Sequence, residues 1–229
     1  KSEAYSLLYQ NRAVTGTYEP GSTFKVIMSA IGLEENVVTT DQVGDFNCTG
    51  AYQVADRSIA CWASNPHGGL SLRGALENSC NPAFMQLGQR INSQIGIDRL
   101  YDYFDAFGLF DKVGTSFARA YSGHFHDKET IGPVELATTS FGENFTISPL
   151  QLLAAISAIA NDGVYVEPRI VKQIENPDTN SIEQIDVVEK RQVVSKETAA
   201  KVKNMMSSVV TNGTGRHAKV EGYSIGGKS

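Results

Sequence analysis

Tyr18-Glu-Pro-Gly-Ser-Thr-Phe-Lys-Val-Ile-Met-Ser-Ala-Ile-Gly-Leu33 changes character partway along. Tyr18-Glu-Pro-Gly21 is turn punctuation. Beyond it Phe24, Ile27, Met28, Ile31 and Leu33 fall mostly at three-to-four spacing, which predicts a buried helix from residue 22 to about 35. Ser22 stands where an N-cap or first-turn residue belongs. Lys25 follows one turn later on the same face, so a hydroxyl and an amine meet at a helix start. Serine needs an adjacent base to act as a nucleophile. Lysine can be that base only if its pKa falls from ~10.4 to near 7, a cost of about 4 kcal/mol that desolvation must supply. Taken alone, the pair is no more than an ordinary helix start.

Outward from this helix, residues 41–70 carry glycines, Pro66 and short alternating pieces such as Tyr52-Gln-Val54, which read as loop and short strand. Leu72 to Leu76 and Ala83 to Ile91 predict two helices. Between them Ser79-Cys-Asn-Pro82 breaks the pattern, because the proline forces a new helix start. Leu100 to Phe107 is a third amphipathic stretch, and polar residues 112–131 read as a long surface loop. Pro149 to Asn161 is apolar and helical, closed by the turn Asn161-Asp-Gly163. Val164 to Ile174 and Ile185 to Val194 alternate and are rich in β-branched residues, so they predict strands. Ser195 caps a helix over Thr198 to Val210, and Tyr223-Ser-Ile-Gly-Gly-Lys-Ser229 reads as a strand. Helices first and strands later favour an α+β fold over a doubly wound sheet.

The 229 residues show no repeat or long linker and read as one unit. Twenty basic against 25 acidic residues give a net charge of -5, with no Lys/Arg run, which argues against binding nucleic acid through its phosphates. No apolar stretch is long enough to span a membrane. Lys1-Ser-Glu-Ala-Tyr5 lacks an initiator Met and a signal-peptide core, so the natural start is expected upstream.

Three motifs carry the chemistry. Tyr18-Glu-Pro-Gly-Ser-Thr-Phe-Lys25, Asn78-Ser-Cys-Asn-Pro-Ala-Phe84 and Gly226-Gly-Lys-Ser229 together resemble the active-site motifs of penicillin-binding proteins. Gly132-Pro-Val-Glu-Leu-Ala137, Thr139-Ser-Phe-Gly142, Ser148-Pro-Leu-Gln-Leu152 and Thr211-Asn-Gly-Thr-Gly215 extend the resemblance to the monofunctional class B transpeptidases. It runs over nearly the whole chain. Residues 114–123 depart from it, lacking the Gly-x-Asp-x-Pro-Gly-Glu-like stretch of that family.

The resemblance implies a serine transpeptidase/β-lactamase-like fold, with an antiparallel sheet flanked by helices and an all-α subdomain that carries Ser79. It implies one transpeptidase domain over residues 1–229, with the family's membrane anchor, pedestal and final strands lying outside this sequence. Ser22 would be the acylated nucleophile and Lys25 its base. Ser79 would pass a proton to the leaving group and Asn81 would hold the substrate amide. Lys228 would anchor a carboxylate, and Ser229 keeps the hydroxyl where the family usually has Thr. The oxyanion hole would use the backbone N–H of Ser22 and one just past Ser229.

The implied reaction is D,D-transpeptidation of D-Ala-D-Ala stem peptides, with β-lactams acylating the same serine. The implied setting is the extracytoplasmic face of a bacterial membrane, beside a glycosyltransferase, in division, elongation or sporulation. Two rivals share the motifs: a β-lactamase, with Glu129, Glu135 or Glu143 as a deacylating base, and a β-lactam sensor. A third alternative is a non-catalytic scaffold. His124, His126 and His217 are expected to be non-catalytic.

Cys61, His67 and Cys80 fall within 20 residues, and Cys80 lies inside the second motif. Two thiolates and an imidazole suit Zn²⁺, which prefers four tetrahedral N/S ligands in structural sites. Asp56 is the preferred fourth ligand because it sits on the same polar turn, with Cys48 as the alternative. A Cys48–Cys61 disulfide or three free thiols are the competing readings.

Overall fold

A computed structural model of the chain describes residues 10–112, 122–169, 171–187 and 189–229. The five N-terminal residues and most of the stretch 114–123 considered above lie outside them.

A short helix α1 (Arg12–Thr15) precedes a 3-10 turn, Gly21–Phe24, that runs directly into α2 (Lys25–Glu34). Every residue of α2 from Lys25 to Leu33 is buried. A helix without a polar face belongs at the centre of a core, and α2 is enclosed by four others: α3 (Leu72–Glu77), α4 (Asn81–Ala106), α6 (Pro149–Ala160) and α7 (Lys196–Thr211). Gly32 faces α4 at short range. A Cβ there would lie 2.9 Å from Leu87 Cδ1 and 3.3 Å from Val38 Cγ2. At the start of α2, Phe24 packs edge-on to Phe104 and Phe145, with ring centroids 5.6 and 4.7 Å away.

The caps follow the sequence. Ser195 accepts the Thr198 N–H at the start of α7, and Ser148 and Gln151 form a reciprocal capping box on α6. The helices expected over Ala83–Ile91 and Leu100–Phe107 abut within α4 at Gly96, whose φ of 81° and ψ of 162° break the helical path. An additional helix, α5 (Pro133–Thr139), starts on Pro133 after Gly132.

All strand pairings are antiparallel. Among the described residues, however, the strands form four separate two-stranded units instead of one sheet. β1 (Phe46–Cys48) pairs with β4 (Gly68–Leu70), and β2 (Ala51–Val54) with β3 (Arg57–Ala60). β5 (Val164–Val166) pairs with β8 (Glu189–Gln192), and β6 (Gln173–Asn176) with β7 (Ser181–Gln184).

Two strand expectations change. The strand expected over Val164–Ile174 divides into β5 and β6, with Pro168, which has no N–H for a ladder, in the gap. β6 then turns through Pro177-Asp-Thr-Asn180 into β7, a hairpin marked by the Asp178 N–H donated to Asn176 Oδ1. The strand expected over Tyr223–Ser229 forms no ladder. This segment runs beside α7, where the Gly227 N–H donates to Met206 O, and no strand neighbours it among the described residues.

Candidate active site

The 3-10 turn that opens α2 aims two side chains at one point. Lys25 Nζ lies 3.0 Å from Ser22 Oγ, and the lysine is fully buried. The turn is held from outside by a backbone crossing. The Gly21 N–H donates to Gly142 O at 2.8 Å, and a Cβ on Gly142 would meet Gly21 O at 1.9 Å. Gly142 also has φ +92°, so both its conformation and its surroundings exclude a side chain. Tyr18 pairs with Ile147, and Glu19 accepts the Asn144 N–H. Thr139-Ser-Phe-Gly142 therefore works as the clamp on the Ser22 turn, a role that its sequence alone did not disclose.

The second motif arrives from the end of α3. There the Cys80 N–H donates to Ala75 O and the Ser79 N–H to Leu76 O. That is the paired bonding of a Schellman helix end, whose left-handed position is usually glycine. Ser79 takes it with φ +53°. A left-handed non-glycine residue costs roughly 1–2 kcal/mol. In return the Ser79 hydroxyl is delivered to the core: it donates to Ser22 Oγ at 2.9 Å. Asn81, first residue of α4, brings Oδ1 to 2.6 Å from Lys25 Nζ. Lys25 also donates to Ser79 O at 2.8 Å and lies 3.3 Å from Ser79 Oγ.

The third motif closes the site. Lys228 Nζ donates to Ser79 Oγ at 2.9 Å, so Ser79 stands between Lys228 and Ser22. The Ser229 hydroxyl pairs with Thr214 Oγ1 at 2.6 Å. Thr214 is itself fixed to α3, its N–H donating to Glu77 O at 2.9 Å. Ser22, Lys25, Ser79, Asn81 and Lys228 are thus drawn into one hydrogen-bonded cluster, with Ser229 at its edge. Trp62, exposed on the rim, donates its indole N–H to Asn78 O at 3.0 Å. As the only tryptophan, placed next to Cys61, it offered a compositional clue but no spacing that tied it to the site.

The electrostatics match the geometry. Burial, reinforced by the positive charge of Lys228, lowers the Lys25 amine to about 7. Burial likewise lowers Lys228 to about 8. Near neutral pH a neutral Lys25 can take a proton from the Ser22 hydroxyl, while a charged Lys228 can hold an anion and polarise Ser79. Among the described residues no carboxylate hydrogen-bonds to Ser22, Lys25 or Ser79, and so Glu129, Glu135 and Glu143 do not reach them directly. His124 and His126 lie by the Thr146 and Tyr101 contacts, and His217 sits in a separate 3-10 turn.

Beside this cluster the ligand atoms of Cys48, Cys61, His67 and Cys80 lie within 4.8 Å of one another. Asp56 is absent from the group, which corrects the preferred fourth ligand to Cys48. Asp56 occupies the exposed tip of the two-residue turn between β2 and β3. Cys48, by contrast, sits across the β1–β4 ladder from Gly68, next to His67. The three thiols are free and buried in this structure, with no bond between Cys48 and Cys61. Burial, then the charge on Lys25, keeps the His67 imidazole below its usual range.

Comparisons with known proteins bear on the family and the fold. Stage V sporulation protein D of Bacillus subtilis (strain 168) is 38% identical over 225 residues, covering 98% of this chain and 34% of that protein. The peptidoglycan D,D-transpeptidase PbpA of Mycobacterium tuberculosis is 32% identical over 208 residues, covering 86% of this chain and 39% of that one. This chain therefore spans a little over a third of the length of these curated relatives. The D,D-transpeptidase domain of a peptidoglycan glycosyltransferase from Eggerthella lenta superposes with a TM-score of 0.87 at 28% identity, over 99% of this chain and 58% of that one. Penicillin binding protein 3 of Mycobacterium tuberculosis, complexed with ampicillin, does so at 0.86 and 30% identity, over 95% and 48%. The penicillin binding protein transpeptidase domain family matches all of residues 1–229, and this chain belongs to it.

Proposed function

We propose that this domain is a serine D,D-transpeptidase that cross-links peptidoglycan stem peptides. Ser22 Oγ attacks the carbonyl of the penultimate D-Ala while its proton passes to neutral Lys25. The tetrahedral oxyanion faces the Ser22 backbone N–H, one of the first-turn donors that a helix leaves without an intrahelical acceptor. Ser79, polarised by Lys228, gives its proton to the departing amine of the terminal D-Ala and takes in its place the one that Lys25 received from Ser22. An amine from a second stem then attacks the acyl carbonyl, forming the new peptide bond as the ester bond to Ser22 breaks, and its proton passes through Lys25 back to Ser22 Oγ. Asn81 holds the substrate amide, while Lys228 and the Ser229 hydroxyl hold its carboxylate. β-Lactams, whose ring opening leaves no diffusing leaving group, acylate Ser22 and remain.

The observation that supports this reading most strongly is the convergence on one buried point of two hydroxyls, two amines and a carboxamide from three sequence-distant motifs. The absence of a carboxylate bonded to the cluster, among the described residues, favours transpeptidase over β-lactamase, because rapid deacylation requires a base to activate water. The names of the relatives support a place in cell-wall synthesis outside the cytoplasm. An anchor outside this sequence and a glycosyltransferase partner belong to the same proposal. No helix among the described residues is long and apolar enough to cross a membrane.

The test is intact-mass spectrometry of the full-length protein after penicillin treatment. A persistent single adduct that maps to Ser22 and is absent in Ser22→Ala is the expected outcome. An adduct elsewhere, or release of hydrolysed penicillin within seconds, would reject the reading.

A further inference from the structure

We propose that Cys48, Cys61, His67 and Cys80 form a structural zinc site that cross-links the β1–β4 and β2–β3 strand pairs to the turn Ser79–Asn81. The four residues come from four places: the end of β1, the residue after β3, the residue before β4, and the residue before α4. They converge nonetheless, with all four ligand atoms within 4.8 Å. Cys61 Sγ lies 3.5 Å from His67 Nδ1. Two ligands at tetrahedral positions on zinc, with Zn–S near 2.3 Å and Zn–N near 2.0–2.1 Å, stand about 3.6 Å apart. The Cys48 thiol contacts those of Cys61 and Cys80 and receives backbone N–H bonds from His67 and Gly50. Such donors orient a thiolate that binds a metal. A disulfide would use two of the three thiols and leave the imidazole and the third thiol with no common partner.

The surrounding fold supplies a reason for a metal. The strands from Phe46 to Leu70 are three or four residues long, and few of their side chains are buried. Isolated two-stranded pairs of this size are marginal in water, and small elements with little core are commonly held by disulfides or structural metals. Three thiolates and one imidazole select zinc over oxygen-preferring cations. The site borders the acyl-transfer cluster through Cys80, between Ser79 and Asn81, and is read by metal content, not by turnover.

The full-length protein, purified without a polyhistidine tag under reducing conditions, is analysed for metals by mass spectrometry and for free thiols. The expected result is about one zinc per chain, falling below about 0.2 in Cys48→Ser and Cys61→Ser and unchanged in Asp56→Ala. Exchange with Co²⁺ on the wild-type protein, independent of whether the variants fold, gives the intense thiolate-to-cobalt absorption and the tetrahedral d–d bands. Chelation lowers Tm by at least about 5 °C, and added zinc restores it. Zinc below about 0.2 per chain in the wild type, iron or copper in its place, or a disulfide among these cysteines overturns the proposal.

Discussion

Two segments bring an amine to the same serine cluster, and they are built on opposite principles. Lys25 rides on α2, where every residue from Lys25 to Leu33 is buried and the backbone is clamped by Gly142. Lys228 lies on an extended segment that has no ladder partner among the described residues and is tied down by single contacts to Met206, Thr214 and Ser79. The difference teaches a division of labour. The base needs a strongly depressed pKa, which deep burial beside a second amine supplies, so it belongs to the core. The group that meets the substrate's carboxylate must stay accessible, so it sits at the edge.

The largest effect expected from this comparison is on the core side. Lys25→Ala should lower penicillin acylation about a thousandfold or more, because it removes the amine that, among the described residues, contacts Ser22 and can take its proton. The folded structure should survive by circular dichroism, since removing a buried amine also removes its desolvation cost. Acylation within tenfold of wild type would show that the base is elsewhere.

Ser79 joins the two sides, and there stability and chemistry separate. Ser79→Gly relieves the left-handed strain at φ +53° and should stabilise the fold by about 1 kcal/mol, seen as a rise of about 2–4 °C in Tm. The same change deletes the hydroxyl between Lys228 and Ser22 and should slow acylation by about a hundredfold. A fall in both quantities would mean that Ser79 is held for packing alone.

On the edge side the expected effects are smaller. Thr214→Val removes the hydroxyl that holds Ser229 and should raise KM for a stem-peptide mimic by about three- to tenfold with kcat little changed, the pattern of lost ground-state binding. A selective loss of kcat would place Thr214 in the chemistry instead. Smallest of all, His124→Gln, His126→Gln and His217→Gln should each leave acylation within about threefold, since among the described residues none of them hydrogen-bonds to the cluster; a hundredfold loss at any one would reveal a missed base.

The same contrast explains what the sequence disclosed. The helix expected from residue 22 to about 35 appears as a 3-10 turn plus α2, and the Ser195 cap and its helix appear as α7, because apolar periodicity and capping are local signals. The three motifs were legible in order, and their convergence follows from the packing of α3, α4 and α7 around α2. Long-range pairing was less legible. Asp56 looked closer to the thiols than Cys48 until the β2–β3 turn carried it outward and the β1–β4 ladder carried Cys48 inward. Alternation at Tyr223–Ser229 signals a strand, but a ladder also needs a neighbour. Nor does any sequence rule place a serine at the left-handed end of α3; that position is explained by what its hydroxyl reaches.

Acyl transfer by this cluster needs Lys25 neutral while Lys228 is charged, and the pH dependence of second-order acylation of the full-length protein measures this directly. With Lys25 near 7 and Lys228 near 8, the rate should rise as pH passes 7, where Lys25 loses its proton. It should fall above 8, where Lys228 loses its charge. Because the two amines repel one another, the two limbs belong to the pair, and the maximum lies between them. A narrow bell centred between pH 7 and 8 is the predicted result. A rate that stays flat from pH 6 to 9, or climbs steadily toward pH 10 as an ordinary lysine would dictate, contradicts it.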